Sequence, residues 1–310
     1  MRCRRCKKPA VVEVRRHNAA FCDSCFQAYV HAQVRKAVDG LGMFSCDERI
    51  LVAVSGGKDS LALWDILISQ GYRVDGLYLG LGVGEYSKRS QRACEAFASE
   101  RRVNLRVYDT AIEEGYDVPR AAKGPRTPCS VCGLAKRHLF NRLALEGGYD
   151  VVATGHNLDD EAAVLLGNVL RWETGYLARQ KPVLQSTHPG LARKVKPLYR
   201  VAERETAAYA VLRDIDYVVQ ECPLAVGNTQ IELKHALDAI EETSPGTKHA
   251  FLFGFLERAA KAFEGEDAVE LHACSRCDMP TGGALELCAY CRMRDSLTGS
   301  RGPSAEEERL

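Results

Sequence analysis

The chain has 310 residues, of which 46% are hydrophobic and 27% charged, and its formal net charge is +1. That length carries one main domain with smaller appendages, and that composition excludes wholesale disorder. A charge so near zero neither supports nor excludes nucleic acid, so the position of the charges matters more than their sum. Apolar runs such as Ile50–Val54 are too short to span a bilayer, and the opening Met1–Cys6 lacks the apolar stretch of a secretory signal. A cytoplasmic protein with no membrane contact is the expectation.

Taken in chain order, residues 1–27 read as a zinc finger. Cys3-x2-Cys6 and Cys22-x2-Cys25 are two thiol pairs with the spacing of a four-thiolate knuckle, which favours structural zinc with no open coordination position. His17 lies near but is not needed. Residues 1–16 also carry Arg2, Arg4, Arg5, Lys7, Lys8, Arg15 and Arg16 against the single acid Glu13. A solvated face and an RNA contact are both open readings, and the clustering around Cys3 and Cys6 tilts toward RNA.

A helical linker over residues 28–49, with its helix at Ala28–Val38, leads into a catalytic domain over residues 50–265. Strands are expected at Ile50–Val54, Val74–Leu79, Val103–Tyr108 and Asp150–Ala153. Helices alternate with them at Asp59–Ser69, Ser87–Glu100, Cys132–Glu146 and Leu158–Leu170. That alternation implies an α/β fold with a doubly wound parallel sheet and right-handed crossovers. Trp172–Leu191 reads as a loop, followed by helices at Glu203–Leu212, Gln230–Glu242 and Lys248–Phe263.

Three motifs carry the chemistry. The first strand runs into Ser55, Gly56, Gly57, Lys58, Asp59 and Ser60, then a helix. Two glycines permit close backbone approach, amides at a helix N-terminus cradle anions, Lys58 can neutralise phosphate, and the Ser55 and Ser60 hydroxyls can donate. The Walker spacing is absent, and SGGKDS after an apolar strand instead resembles the loop of the PP-loop ATP pyrophosphatases, which cleave ATP between its α- and β-phosphates. The nucleotide is then expected beyond the carboxyl ends of the strands. The second motif, Gly155-His-Asn-Leu-Asp-Asp-Glu161, emerges on the same edge. Helix capping explains Asn157 and Asp159, while the resemblance makes Asp160 a magnesium or catalytic carboxylate.

The third motif is Cys129-Ser-Val-Cys132 with Cys222-Pro223 far downstream. Three thiolates cannot complete a zinc site, but they can hold three irons of a [4Fe–4S] cluster and leave the fourth open. Persulfide chemistry and three unlinked structural thiols are the other readings. Lys136, four residues after Cys132, shares its helix face. The remaining thiols, Cys46 and Cys94, read as small buried hydrophobes. A second four-thiolate zinc finger, Cys274, Cys277, Cys288 and Cys291, covers residues 266–295, with His272 a bystander, and the tail over residues 296–310 is expected to be disordered.

Together these residues resemble the TtuA-type group of PP-loop tRNA thiolases over nearly the whole chain, with Gly82–Ser90 and Glu221–Pro223 the most TtuA-like segments. The resemblance implies ATP-dependent tRNA 2-thiolation: adenylation of the C2 oxygen of a uridine or T-loop ribothymidine, followed by sulfur transfer. It implies ATP, Mg2+, a [4Fe–4S] cluster on Cys129, Cys132 and Cys222, and two Zn2+. It also implies catalytic roles for Lys136 and Asp160, a ubiquitin-like sulfur carrier with a C-terminal thiocarboxylate, and a homodimer. Some relatives have His at the site of Cys25. Wobble-uridine thiolation, a PP-loop amidotransferase or synthetase without sulfur chemistry, and a non-catalytic RNA-binding protein are the alternatives.

Overall fold

The structure is a computed structural model and describes residues 1–225, 227, 229–266 and 270–298. The chain opens with a hairpin of β1 (Val12–Val14) and β2 (Ala19–Phe21), then helix α1 (Asp23–Leu41). The central part alternates β3 (Arg49–Val54), α2 (Lys58–Ser69), β4 (Arg73–Gly80), α3 (Gly84–Arg101) and β5 (Leu105–Asp109). Two single-turn helices, α4 (Thr110–Glu113) and α5 (Val118–Ala121), precede α6 (Pro128–Glu146), β6 (Val151–Thr154) and α7 (Leu158–Arg171). After these come α8 (Thr174–Ala178), β7 (Val183–Leu184), β8 (Arg193–Val195), α9 (Glu203–Leu212), α10 (Thr229–Thr243) and α11 (Thr247–Gly254). A second hairpin, β9 (Leu271–Ala273) with β10 (Pro280–Gly282), and α12 (Ala289–Thr298) end the described part.

Six strands form one sheet in the order β5-β4-β3-β6-β8-β7, all parallel except β7, which pairs antiparallel with β8 at the edge. Alternation along β3 divides the core in two. Ile50, Val52 and Val54 face α1, α2 and α9, whereas Leu51 joins Leu77, Val152 and the Val131–Leu139 face of α6. Every residue of α2 from Ser60 to Leu67 is buried, because the helix lies between the sheet on one side and α3 and α9 on the other. Trp64 can pack against β4 only because position 76 is glycine; a Cβ there would collide with the indole ring.

Both thiol knots are built into this core. Cys3 and Cys22 share a cluster with Phe26 and α1, and Cys274, Cys288 and Cys291 share one with α6. Tyr290 of α12 stacks on His138 of α6, with ring centroids 3.9 Å apart. No helix among the described residues is long and apolar enough to cross a membrane.

Several sequence expectations need correction. Trp172–Leu191 is not a plain loop: it holds α8 and the edge strand β7, too short to leave a periodic signal. The helix expected over Lys248–Phe263 is α11 followed by a π-helical turn at Phe255–Ala259 and a 3-10 turn at Ala260–Phe263. Cys94 is buried, but Cys46 is exposed. The tail expected from Ser296 begins inside α12, which runs to Thr298, and its remaining residues lie outside the described ones.

One buried charge ties three helices together. Asp65 of α2, 1% exposed, accepts 2.8 Å hydrogen bonds from Arg101 Nε at the end of α3, from Arg213 Nε just past α9, and from the Tyr209 hydroxyl. Burial pushes the Asp65 carboxyl up, but the bonds from Arg213, Arg101 and Tyr209 outweigh it and hold it below the ordinary carboxylate range. A depressed carboxylate contributes stability that is present above its unfolded pKa, about 3.9, and lost as pH falls below that. Asp65→Ala leaves two guanidinium groups without their acceptor and is expected to cost about 3 kcal/mol in urea unfolding. A loss under about 1 kcal/mol in that measurement would show that solvent takes over the pairing.

Candidate active site

The turn between β3 and α2 is shaped for an anion. Gly56 has φ +76°, and a Cβ on it would lie 2.5 Å from the Ser90 carbonyl oxygen, so only glycine fits. Gly57 is the N-cap of α2 and supplies no side-chain cap, which leaves the first amides of the helix free to face a ligand. Ser60 Oγ holds the turn by accepting from the Ser55 amide at 3.1 Å and donating to the Gly57 carbonyl at 3.0 Å.

Opposite it, β6 leads through Gly155 into α7. A Cβ on Gly155 would come within 2.8 Å of the Ser60 nitrogen, so the second loop rests directly on the first. Asn157 caps α7 as expected, accepting from the Asp159 and Asp160 amides, and its Nδ2 donates to Asp59 Oδ1 at 3.1 Å. The two acids sit in different surroundings. Asp160 closes the capping box on the Asn157 amide at 3.0 Å, while Asp159 is buried, accepting from Lys248 Nζ and from the Glu203 amide at 2.7 Å.

A cavity of about 480 Å³ opens beside these loops. Ser55, Asp59, Ser60, Gly155 and His156 line it together with Cys129, Cys132, Lys136 and Cys222. Residues far apart in sequence therefore share one chamber, with nucleotide motifs and the three odd thiols both in its wall. Thr127 caps α6 and Pro128 takes its first position, so Cys129, Cys132 and Lys136 fall on the opening turns of one helix. Cys222 arrives on the segment after α9, which is anchored to the phosphate loop by the Val218 amide donating to the Gly56 carbonyl at 2.9 Å. Gly56, Gly57, Lys58 and Asp160 are not in the cavity wall.

Lys58 instead points into a charge cluster that sequence reading missed. Its Nζ lies 3.0 Å from Asp59 Oδ2 and 2.7 Å from Glu203 Oε1. Glu203 Oε2 is in turn 3.0 Å from Lys234 Nζ, which lies 2.5 Å from Asp160 Oδ1. Burial pushes Glu203 up, but the Lys58 hydrogen bond and the Lys234 charge overcome it and bring it down to about 2. Burial raises Asp59 against the pull of Lys58. Thr206 donates to Asp59 Oδ1 and belongs to the same group. Glu203 reads in sequence as an ordinary first-turn acid of a helix and Lys234 as a surface lysine, so only the fold marks them.

The two knots suit metal. The sulfurs of Cys3, Cys6, Cys22 and Cys25 lie within 4.8 Å of one another, as do those of Cys274, Cys277, Cys288 and Cys291. In the second, the Cys288 amide donates to Cys274 Sγ at 3.2 Å and the Cys291 amide to Cys288 Sγ at 3.4 Å. Four converging soft donors fit one tetrahedral zinc each. The set Cys129, Cys132 and Cys222 offers three soft donors on one chamber, which fits an iron–sulfur cluster with one iron left free.

Comparison with known proteins agrees with this geometry. Residues 27–226 match the family described as a PP-loop domain, and residues 2–27 match one described as the N-terminal LIM domain of the 2-thiouridine synthetase TtuA. The chain is 47% identical to the tRNA-5-methyluridine(54) 2-sulfurtransferase of Thermus thermophilus, over 96% of this chain and 92% of that one. It is 41% identical to the protein of the same name from Thermotoga maritima, over 96% and 97%. The U34-tRNA thiolase NcsA from Methanococcus maripaludis, solved with its [4Fe-4S] cluster, superposes with a TM-score of 0.81 at 26% identity over 96% of each chain. A phosphate loop of this form, two four-cysteine knots and relatives matched end to end place the chain in the PP-loop family, among the TtuA-type tRNA 2-sulfurtransferases.

Proposed function

We propose that the chain replaces the C2 oxygen of a tRNA T-loop ribothymidine with sulfur, at the cost of ATP cleaved to AMP and pyrophosphate. The observation that carries this reading is the single cavity walled by Ser55, Asp59 and Ser60 and also by Cys129, Cys132 and Cys222. The C2 oxygen of the pyrimidine is a poor leaving group. Its attack on the α-phosphorus of ATP gives a C2–O–AMP ester and releases pyrophosphate. Sulfur then adds at C2 as hydrosulfide, water having taken its place on the carrier's thiocarboxylate carbon. AMP departs with the oxygen, the S–H proton replaces the one that N3 lost in the first step, and a C2=S bond remains.

The Gly57–Ser60 amides and the Ser55 and Ser60 hydroxyls receive the departing pyrophosphate, with Lys58 beside them. Asp59 and Asp160 would hold Mg2+ or shuttle a proton, and Lys136 balances phosphate charge near the thiols. Cys129, Cys132 and Cys222 would hold a [4Fe–4S] cluster, which supplies, when bound, an open iron position for sulfur. The two knots would each hold one zinc, which would brace their turns against the α/β domain, and the first carries the basic face of residues 2–16 that meets tRNA. A ubiquitin-like carrier with a C-terminal thiocarboxylate delivers the sulfur, the enzyme is a homodimer, and it works in the cytoplasm.

The test is anaerobic incubation with ATP, thiocarboxylated carrier and tRNA containing ribothymidine, followed by mass spectrometry of the nucleosides. Formation of 2-thioribothymidine with one AMP per sulfur is expected. Sulfur found only in the wobble uridine, or AMP release with ammonia and no sulfur transfer, overturns the assignment.

A further inference from the structure

The geometry points to Lys234 as a second phosphate-binding lysine of the ATP site, held together with Lys58 on Glu203 until the ligand arrives. The inference rests on the reading of Ser55–Ser60 as a pyrophosphate cradle. Lys58 is the cation of that loop, yet its ammonium is engaged by Glu203 at 2.7 Å and by Asp59 at 3.0 Å. Lys234, on α10, bonds the other oxygen of the same Glu203 at 3.0 Å and reaches Asp160 at 2.5 Å. Its partners thus belong to both nucleotide loops: Asp160 to the start of α7 and, through Glu203, Lys58 to the start of α2.

With its carboxylates ionised, the cluster holds two cations, Lys58 and Lys234, against three anions, Asp59, Asp160 and Glu203. Such a site repels a polyanion unless a cation is freed for it. Glu203 is the group that can release one, because it alone bonds both lysines and is 35% exposed. Lys234 and Lys58 are themselves 25% and 22% exposed, so neither is sealed in the core. Phosphate oxygens entering the loop exchange for Glu203 on both ammonium groups, and the two lysines then clamp the leaving pyrophosphate from α2 and α10.

Binding of magnesium pyrophosphate to the full-length, metal-loaded protein by calorimetry tests this without requiring thiolation. Lys234→Met is expected to weaken binding about tenfold and Lys234→Arg to stay within about threefold of wild type. Glu203→Gln is expected to tighten it several-fold. The decisive variant combines Lys234→Met with Glu203→Gln, which has the net charge of the wild type. If Lys234 contacts phosphate, the double variant binds about tenfold more weakly than Glu203→Gln alone. A double variant that binds as tightly as Glu203→Gln alone would mean that Lys234 merely neutralises Glu203, and the inference is overturned. A Lys234→Met variant that melts like wild type and binds pyrophosphate normally also overturns it. Wild-type protein that binds neither pyrophosphate nor ATP overturns the cradle reading as well, so the two failures are distinguishable.

Discussion

Cys222→Ala is expected to abolish formation of the 2-thiolated nucleoside while leaving ATP affinity within about threefold of wild type. The side chain lines the shared chamber, but the segment that carries it is fastened by backbone: the Val218 amide on the Gly56 carbonyl, and the Ala225 amide on the Cys222 carbonyl at 2.9 Å. Losing the thiol therefore leaves the phosphate loop in place and removes one of three soft donors. Two thiolates do not retain a four-iron cluster stably, so iron and labile sulfide should fall together in anaerobically reconstituted protein. Zinc should remain at two per chain, because the eight knot cysteines form their own groups. If the variant still thiolates tRNA at the wild-type rate, Cys222 is a packed thiol and the sulfur must be carried elsewhere. Full iron with no thiolation would point instead to a persulfide carried by Cys222.

How far the sequence is legible follows from where each signal lies. The phosphate loop sits directly between an apolar strand and a helix, and β3, α2, β6 and α7 all fall within one residue of the ends that the pattern gives them. Likewise α9 has the expected bounds, Glu203–Leu212. The three-residue strands β1, β2, β9 and β10 are too short for a period of two to show, and each hairpin lies beside the cysteines of its knot. The periodic pattern starts α6 at Cys132 rather than at Pro128, although Thr127-Pro128 is a cap followed by a proline in the first helical position. The consequence is chemical: Cys129 and Cys132 stand on one helix rather than one on a loop.

Charge partners distant in sequence are not legible. Lys58 and Glu203 are 145 residues apart, and nothing local to either announces the other. The different surroundings of Asp159 and Asp160 have the same origin. Both are acids in a first helical turn, and only the placement of Lys248 and of the Glu203 amide decides which is buried. Capping and catalysis are also compatible in Asp160, since one oxygen bonds the Asn157 amide and the other faces Lys234.

Asp59→Ala is expected to lower ATP-to-AMP turnover with tRNA by about 100-fold or more while zinc and iron contents stay at wild-type values. Asp59 is the residue at which the two nucleotide loops meet: its Oδ1 accepts from Asn157 Nδ2 at 3.1 Å and from Thr206, and its Oδ2 accepts from Lys58 at 3.0 Å. It also lines the cavity, which Lys58 does not. Every thiol ligand set lies on other segments, so metal content should not follow activity. Asp59→Asn separates charge from position, because the amide oxygen can still accept from Asn157 and Thr206. Burial raises the Asp59 carboxyl, so as pH falls it takes up its proton sooner than an ordinary aspartate. If its negative charge holds magnesium or takes a proton, wild-type turnover should decline on the acid side above the usual carboxylate range. In Asp59→Asn that limb should vanish along with most of the rate. An Asp59→Asn enzyme with near-normal turnover and an unchanged acid limb would mean that Asp59 serves only to join the loops, and that Asp160 alone supplies the carboxylate chemistry.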